Sequence, residues 1–364
     1  MTRRPRVALI TGIAGGGAFV RIARWLMKGF DEIGVPFDVV YIEGPPGEKT
    51  YGSSREIHLG TEFARRSVRA FARYLEDARP AFTLVSPEFL APYALLAGRM
   101  AKQPVIPWEA SFLTFGLEDL PFRKRALPTL QRITYPWAPI VTAVSSDLLE
   151  HIKEHLGVRG RKVRYEVLPN PVDVDEVVGR AGDVAGVTPE TSFCAIGRLT
   201  VHKGFDVLVE AADLLRRESS DPFRVSILGE GPRRQELETQ IAQRGLRDVV
   251  HLPGHVDNPY PSVAAATAVV HPARREGFGL VVVEALALGV PVIATTCPGG
   301  PKEILDPTCS ILVPPEDAGA LADAMKRVAS ERLLRARLAE AGPSRARDYL
   351  PARVAQHIVA LSES

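Results

Sequence analysis

Two glutamates, Glu276 and Glu284, lie eight positions apart in the segment RREGFGLVVVEALALGVPVIATTCPGG at 274–300. Glu284 lies within an apolar run that predicts a helix after the EGFG turn. Burying an unpaired carboxylate is costly, so Glu284 is expected to have a partner. Side chains on a helix lean toward its N-terminus, where backbone N–H groups favour an anion. Glu284 could therefore accept hydrogen bonds from a diol such as a ribose. The alternatives are a solvated glutamate and one paired with a buried arginine.

Two cations follow a predicted strand in the segment GRLTVHKG. Arg198 offers a planar fork of donors and Lys203 a point charge, and together they could clamp a diphosphate. Gly197 and Gly204 keep the backbone open beside them. A solvated loop with ordinary surface charges is the alternative.

A glycine cluster, Gly15 to Gly17, follows the first predicted strand in TGIAGGGAFVR. Glycines at this position allow backbone N–H groups to approach a phosphate at the next helix N-terminus. A tight turn is the alternative, and a dinucleotide fingerprint with Glu43 is a rival. Glu43 lies 26 residues after Gly17, and no YxxxK pair accompanies the turn. These observations disfavour an NAD-dependent oxidoreductase.

Single histidines lie at the ends of several predicted strands: His202, His251, His255 and His271. They lack the close paired spacing of a zinc site, so we expect no metal site. Structural or loop histidines held by hydrogen bonds are the favoured interpretation, and a nucleotide contact by His255 is an alternative.

Short β-rich runs alternate with helical patterns along the chain, which predicts parallel sheets in an α/β fold. Strands are predicted at 6–12, 37–43, 82–86, 104–110 and 140–145, and a second such series follows from SFCAIGRL onward. Two series predict two Rossmann-like domains facing across a cleft, with ligands outside the carboxyl ends of the strands.

The domain boundary is predicted in the turn-rich segment 167–193. The first domain is predicted at 1–172 and the second at 173–345. Pro343 and Pro351 indicate a break before the last segment. Residues 346–364 are expected to form a C-terminal helix that packs back toward the N-terminal domain.

The chain has 364 residues, 46% hydrophobic and 24% charged, as is typical of globular proteins with two domains. Its three cysteines form no CxxC pair, which favours a reduced cytoplasmic protein. The longest apolar stretch, 277–297, is interrupted by Glu284, Gly289 and Pro291 and predicts no membrane span. The basic start runs into a glycine cluster and two arginines, which disfavours a signal peptide.

Charge is uneven, at +7 over 1–170 and −5 over 171–364, which suits an anionic partner or an ordinary solvated surface. No nucleic-acid partner is expected. The segment 120–140 combines basic with aromatic residues, a pattern that suits peripheral contact with an anionic inner membrane face. These residues are Phe122, Arg123, Lys124, Arg125, Arg132, Tyr135 and Trp137. A solvated helix over an acceptor cleft is the alternative.

Several motifs resemble the retaining GT-B glycosyltransferases of the glycosyl transferases group 1 family. They are GRLxxxKG with Arg198 and Lys203, GEGP at 229–232, EGFGLxxxE from Glu276 to Glu284, and CPGGPKEIL at 297–305. In the first half the resemblance depends on looser features: GGGAFVRIARWL, the strand order, and VSSDL followed by VLPNPVD.

The resemblance implies that the first domain, 1–172, binds the acceptor and that the second, 173–345, binds the nucleotide sugar. It also implies roles for individual residues. Arg198 and Lys203 would hold a donor diphosphate, Glu276 would bind hydroxyls of the donor sugar, and Glu284 would bind the ribose. Phe278, Gly279 and Leu280 would lie near that sugar, Gly254 and Val256 beside the base, and Gly16 and Gly17 at the phosphate. Members of this family need no metal, so no metal and no cofactor are expected.

One position departs from the family pattern. The family commonly has a histidine near the donor sugar, after the strand that corresponds to PVIPWEAS, and this chain has Ala110 there. Glu109 is the nearest polar group, and Glu109 and Trp108 are the candidates on the acceptor side.

The resemblance implies transfer of a sugar from a nucleoside diphosphate sugar, with UDP the favoured nucleotide, to a hydroxyl acceptor. The acceptor would be either lipid-linked or a soluble small molecule, in cell-surface glycan or natural-product assembly. A nucleotide-sugar epimerase of the same fold and a non-catalytic nucleotide-sugar-binding protein are the alternatives.

Overall fold

The structure is a computed structural model that describes residues 6–12, 18–44, 47–61, 66–112, 126–156, 163–182, 191–219 and 221–361. The chain forms two compact units. Unit 1 comprises Met1–Pro171 and Tyr349–Ser364, and unit 2 comprises Val172–Asp348. Gly16 and Gly17, the predicted phosphate-binding glycines, lie outside the described residues.

The described part of unit 1 contains a sheet of eight strands in the order β3-β4-β2-β1-β5-β6-β7-β8. Its strands are β1 (Val7–Thr11), β2 (Phe37–Tyr41), β3 (Gly47–Tyr51), β4 (Ser54–His58), β5 (Phe82–Val85), β6 (Val105–Glu109), β7 (Ile140–Ala143) and β8 (Arg164–Val167). β3 runs antiparallel to β4, and the other pairs are parallel. The central strand β1 is buried along its whole length, which explains its continuous apolar sequence VALIT.

The helices of unit 1 are α1 (Ala18–Glu32), α2 (Val68–Ala78), α3 (Ala91–Ala101), α4 (Leu127–Thr134), α5 (Ser146–Leu156) and α14 (Pro351–Ala360). α14 packs on α1 although more than 300 residues separate the two helices. A Cβ atom at Gly29 would lie 2.3 Å from the Pro351 carbonyl group, so this close approach requires glycine. The last helix is thereby tied to the N-terminal part of the chain.

The described part of unit 2 contains a parallel sheet of six strands in the order β11-β10-β9-β12-β13-β14. Its strands are β9 (Thr191–Ile196), β10 (Phe223–Leu228), β11 (Val250–Gly254), β12 (Ala268–His271), β13 (Val292–Thr295) and β14 (Ser310–Val313). Its helices are α6 (Val174–Ala181), α7 (Phe205–Glu218), α8 (Arg234–Gln243), α9 (Tyr260–Ala264), α10 (Leu280–Ala287), α11 (Pro301–Ile304), α12 (Ala318–Ser330) and α13 (Arg332–Ala346). Two parallel-sheet units confirm the predicted α/β class with two Rossmann-like domains.

Three local features differ from the sequence predictions. The hairpin β3–β4 and the strand β8 were not predicted, because both lie at sheet edges where polar residues replace the buried apolar pattern. The turn-rich segment 167–193 contains α6, which begins where the Asp173 carboxylate accepts a hydrogen bond from the Glu176 N–H at 3.2 Å. The helix α13 continues through Pro343 and ends at Ala346.

None of the helices within the described residues is both long and apolar enough to cross a bilayer. The three cysteines, Cys194, Cys297 and Cys309, are buried as free thiols.

Candidate functional site

A short turn at the carboxyl end of β9 carries Lys203. The turn is a 3₁₀ helix over Val201–Lys203, followed directly by α7. Gly204 between them has φ +66°, and a Cβ atom there would lie 2.0 Å from the Pro272 carbonyl oxygen. The glycine therefore lets this turn lie directly against the segment that follows β12, which is the adjacent strand in the sheet.

Lys203 is hydrogen-bonded to Glu276 within unit 2. Its Nζ atom donates to Oε2 of Glu276, and the two side chains are only 17% and 16% exposed. The Nε2 atom of His271, the last residue of β12, lies 3.2 Å from the same carboxylate oxygen. Three chemically active side chains thus meet at the carboxyl ends of two neighbouring strands, where open α/β sheets bind ligands.

The electrostatics of this cluster favour an ionised Glu276. Burial by itself would raise the pKa of the Glu276 carboxyl, but the positive charge of Lys203 and the nearby His271 hold the pKa well below its usual range. Glu276 is therefore a carboxylate at neutral pH, able to accept hydrogen bonds from hydroxyl groups.

The backbone of Glu276 is held by the CPGG segment. The Glu276 N–H donates to the Pro298 carbonyl at 3.2 Å, and the Gly300 N–H donates to the Glu276 carbonyl at 3.2 Å. Gly299 has φ +119°, and a Cβ atom there would lie 1.6 Å from the Glu276 carbonyl oxygen. This close contact explains why glycine follows Pro298 in the CPGGPKEIL motif.

Glu284 lies in α10 and is 2% exposed. The hydroxyl of the buried Tyr260 donates to its Oε1 atom at 3.3 Å. The guanidinium of Arg180 lies over the Tyr260 ring, 5.3 Å from its centroid. This distance is within the roughly 6 Å of a cation–π contact. A tyrosine hydroxyl is thus a partner of Glu284 within the chain, where the sequence suggested solvent or arginine as alternatives to a ligand.

The predicted donor residues of unit 2 that have not yet been placed lie at the same edge of its sheet. Arg198 is exposed just after β9, Gly279 precedes α10, Leu280 is its first residue, and Gly254 ends β11 with Val256 close behind. Phe278 is 4% exposed, so its ring is buried. His255 is exposed and lies 3.4 Å from Asp257.

Sequence reasoning missed two residues that shape this site. His271 was interpreted as a structural histidine, although its position at a strand end five residues before Glu276 could have indicated a neighbour. Arg274 donates to the Asp206 carboxylate at 2.7 and 2.8 Å and to the Val201 carbonyl at 2.7 Å. It also pairs with Glu316, and these bonds hold the Lys203 turn in place.

In unit 1, Glu109 ends β6 and is fully buried. The hydroxyl of Tyr135 donates to its Oε1 atom, and Gln131 Nε2 donates to the Tyr135 hydroxyl oxygen at 3.2 Å. Burial, together with the charge of Glu88, raises the pKa of Glu109 to about 8.

Trp108, the other acceptor-side candidate, is 1% exposed, and its indole N–H donates to the Leu168 carbonyl at 2.8 Å. The Trp108 ring therefore packs inside unit 1. Tyr135, predicted among the membrane-facing aromatics, is likewise buried. The basic residues at 123–125 lie outside the described residues.

Among the described side chains, no three or more His, Cys, Asp and Glu residues cluster in a way that could hold a metal ion.

A family model described as "Glycosyl transferases group 1" matches residues 186–345. The alpha-D-kanosaminyltransferase of Streptomyces kanamyceticus is 38% identical over 157 residues, which are 42% of this chain and 40% of that protein. The match therefore spans well under half of the kanosaminyltransferase. The phosphatidyl-myo-inositol mannosyltransferase of Mycobacterium leprae is 30% identical over 279 residues, 74% of this chain and 70% of that protein.

Among solved structures, HepE of Anabaena in complex with UDP and glucose superimposes with a TM-score of 0.76. The superposition covers 99% of this chain and 100% of HepE at 17% sequence identity. At that identity the likeness shows a shared fold, the GT-B fold of two Rossmann-like domains.

Proposed function

The chain belongs to the glycosyl transferases group 1 family, and we propose that it transfers a sugar from a nucleoside diphosphate sugar to a hydroxyl acceptor. The observation that carries this proposal is the meeting of Lys203, Glu276 and His271 at the carboxyl ends of β9 and β12. A cation for a leaving phosphate and a carboxylate for sugar hydroxyls are the two groups that such a transfer needs.

The donor would be bound by unit 2. Arg198 and Lys203 would hold the diphosphate, and the N-terminus of α10 would add its partial positive charge. The Lys203 ammonium has three donors, so it can keep one hydrogen bond to Glu276 and direct another at a phosphate oxygen. UDP is the favoured nucleotide, supported by the complexes of HepE with UDP and with UDP-glucose.

The two glutamates would bind different parts of the donor. Glu276, held as a carboxylate, would accept hydrogen bonds from hydroxyls of the donor sugar, close to the bond that breaks. Glu284 would accept hydrogen bonds from the ribose hydroxyls. A ribose would meet a carboxylate oriented by Tyr260, because the 3.3 Å bond from that hydroxyl restricts the side chain.

In the reaction, the bond from the anomeric carbon to the diphosphate oxygen breaks and a bond to the acceptor oxygen forms. The acceptor proton passes to the departing phosphate on the same face, so the anomeric configuration is retained. Lys203 and Arg198 would stabilise the charge that grows on the diphosphate, and this electrostatic role removes the need for a metal ion.

A panel of UDP-, GDP-, ADP- and dTDP-sugars tests the proposal. We expect one nucleotide series to raise the midpoint of thermal unfolding and its sugar to be released slowly by water when no acceptor is present. Mass spectrometry would then detect free nucleoside diphosphate and sugar. Conversion of the donor to an isomeric nucleotide sugar, with no nucleoside diphosphate released, would identify an epimerase and overturn the proposal.

A further inference from the structure

Exposed apolar side chains lie on the outer faces of α3 and α4, two helices of unit 1 that pack side by side. Leu96 and Met100, one helical turn apart on α3, are 40% and 52% exposed, and Ile133 of α4 is 55% exposed. Exposed apolar residues on a protein surface are ordinary when they are scattered singly. Three of them on two packed helices form an apolar face that a partner can cover.

A cation–π contact joins the two helices at this face. The Arg99 guanidinium lies over the Trp137 ring, 5.0 Å from its centroid, and Trp137 ends the 3₁₀ turn that follows α4. Arg99 comes three residues after Leu96, and Trp137 comes four residues after Ile133. Residues three or four apart on a helix are neighbours on its surface. The exposed apolar residues and the Arg99–Trp137 pair therefore belong to one continuous surface.

A small pocket opens in this surface, between the end of α3 and the turn after α4. Its volume is about 200 Å³, and Arg99, Lys102, Gln103 and Trp137 are among its lining residues. Within the described part of the chain, neither Arg99 nor Lys102 forms an ion pair. The fork of Arg99 and the ammonium of Lys102 together offer the donors and the charge that a phosphate group accepts.

The segments that form this surface carry positive charge only. The described segments 89–108 and 126–146 contain no Asp or Glu, but they contain Arg99, Lys102 and Arg132. The flanking helices α2 and α5 differ, because their exposed side chains carry both signs of charge. A symmetric contact with a second copy of this chain would bring the cations of the two copies together. The surface is therefore complementary to an anionic partner rather than to itself.

We propose that unit 1 docks on an anionic membrane through this surface, which we name the α3–α4 face. Its residues are Leu96, Arg99, Met100, Lys102, Arg132, Ile133 and Trp137. The apolar side chains enter the boundary between headgroups and acyl chains, where peripheral proteins bury apolar faces to a depth of about 5–10 Å. The two cations of the pocket hold a lipid phosphate, and the tryptophan lies at headgroup depth. One partner thus satisfies both the apolar and the basic residues.

The α3–α4 face lies at the end of the unit 1 sheet that is opposite to its expected ligand edge. Lys102 comes three residues before β6, and Trp137 comes three residues before β7. Both residues therefore lie near the amino ends of these strands, whereas open α/β sheets bind ligands at the carboxyl ends. The membrane contact is separate from sugar transfer, so vesicle binding tests it independently of the proposed function.

The test is co-sedimentation of the full chain with lipid vesicles. Vesicles of phosphatidylcholine alone are compared with vesicles of phosphatidylcholine and phosphatidylglycerol, each at low and at high salt. We expect binding to the anionic vesicles that weakens as salt is added, and much weaker binding to the neutral vesicles. Equal binding to both kinds of vesicle, or no binding at low salt, would overturn the proposal.

Two soluble probes distinguish a membrane from other anionic partners. Glycerophosphoglycerol carries the headgroup phosphate without acyl chains, so it should not displace the protein from anionic vesicles at the same phosphate concentration. Full displacement would indicate a site for a free phosphate ester and would overturn the membrane contact. Binding of poly-L-glutamate by a protein that does not bind the vesicles would assign the face to an acidic protein and would also overturn the proposal.

Variants then assign the binding to the α3–α4 face. Arg99→Gln combined with Lys102→Gln should weaken binding to anionic vesicles roughly 30-fold, because each cation near such a surface contributes a factor of about five. Met100→Ser combined with Ile133→Ser keeps the charge and should weaken binding at least about tenfold. Leu333→Ser, at the 88% exposed leucine of α13 in unit 2, is the matched control and should bind like the parent protein.

Thermal unfolding checks that both double variants fold, as expected for changes at exposed positions. Unchanged vesicle binding in either folded double variant would overturn the proposal.

Discussion

The Nζ atom of Lys203 donates a hydrogen bond to Oε2 of Glu276, across 73 residues of sequence. The bond joins the turn after β9 to the loop after β12, and His271 lies 3.2 Å from the same oxygen. A cation and a carboxylate are therefore already oriented before any donor binds. Preorganisation of this kind lowers the cost of reorganising charged groups during a reaction.

Replacing Lys203 should impair both donor binding and turnover. In Lys203→Ala the diphosphate loses a cation and Glu276 loses its main electrostatic partner, so we expect at least about tenfold weaker UDP binding and roughly 100-fold lower kcat. Titration calorimetry and single-turnover kinetics measure the two effects. Lys326→Ala, at an exposed pair with Glu218, is the control and should behave like the parent protein. Unchanged UDP affinity in Lys203→Ala would contradict the diphosphate role.

Replacing Glu276 and replacing Glu284 should change different kinetic parameters. Glu284→Ala should weaken UDP binding and raise KM with little change in kcat, because a ribose contact is equal in ground and transition states. Glu276→Ala should lower kcat while UDP alone still binds. Tyr260→Phe, which removes the hydroxyl that donates a hydrogen bond to Glu284, should also raise KM, but by a smaller factor. An equal loss of UDP binding in the glutamate variants would show that the division of roles is wrong.

Replacing Arg274 should lower stability and weaken donor binding, because Arg274 holds the turn that carries Lys203. Arg274→Lys keeps the charge but loses the paired bonds to Asp206, so we expect roughly 1–3 kcal/mol lower stability and weaker donor binding. Chemical denaturation and UDP titration measure these effects. Arg327→Lys, in an exposed pair with Glu331, is the matched control. Full UDP affinity in Arg274→Lys would show that the Lys203 turn does not need this support.

Chelation should leave donor binding intact. If Lys203, Arg198 and the α10 N-terminus neutralise the diphosphate, then UDP-sugar affinity and turnover should be the same with and without EDTA. Calorimetric titration before and after dialysis against EDTA checks this. Loss of binding that magnesium or manganese restores would point instead to a metal-bridged diphosphate.

Stability should depend on pH through Glu109. Its pKa is raised from 4.5 to about 8, so between these values the folded state holds a proton that the unfolded state has lost. The free energy of unfolding therefore falls as pH rises through this interval. Glu109→Gln should remove this part of the pH dependence and be roughly 1–3 kcal/mol more stable at pH 8. Denaturation curves from pH 5 to pH 8, with Glu76→Gln as the control, measure it. A variant with the same pH slope as the parent would refute the assignment.

The sequence alone determined the class of fold and the positions of the motifs that follow β9 and β12. Alternating strand and helix periods are local properties, and so are the glycine-rich turns at strand ends. The placement of Glu276 and Glu284 could be predicted for the same reason. The sequence puts Glu276 in the turn before the helix and Glu284, eight residues later, inside it. The polar hairpin β3–β4 escaped this reasoning, since an edge strand needs no buried apolar face.

Only the tertiary structure decided which side chains meet. Lys203 lies beside Glu276 because β9 is adjacent to β12 in the sheet, and Tyr260 reaches Glu284 from a separate helix. Trp108 and Tyr135 carry polar groups that suggested exposed roles, yet both are buried with their donors paired to Leu168 and Glu109. Such partners depend on how segments that lie far apart in the chain pack together. Periodicity along the sequence does not specify which polar residues will be paired in the interior.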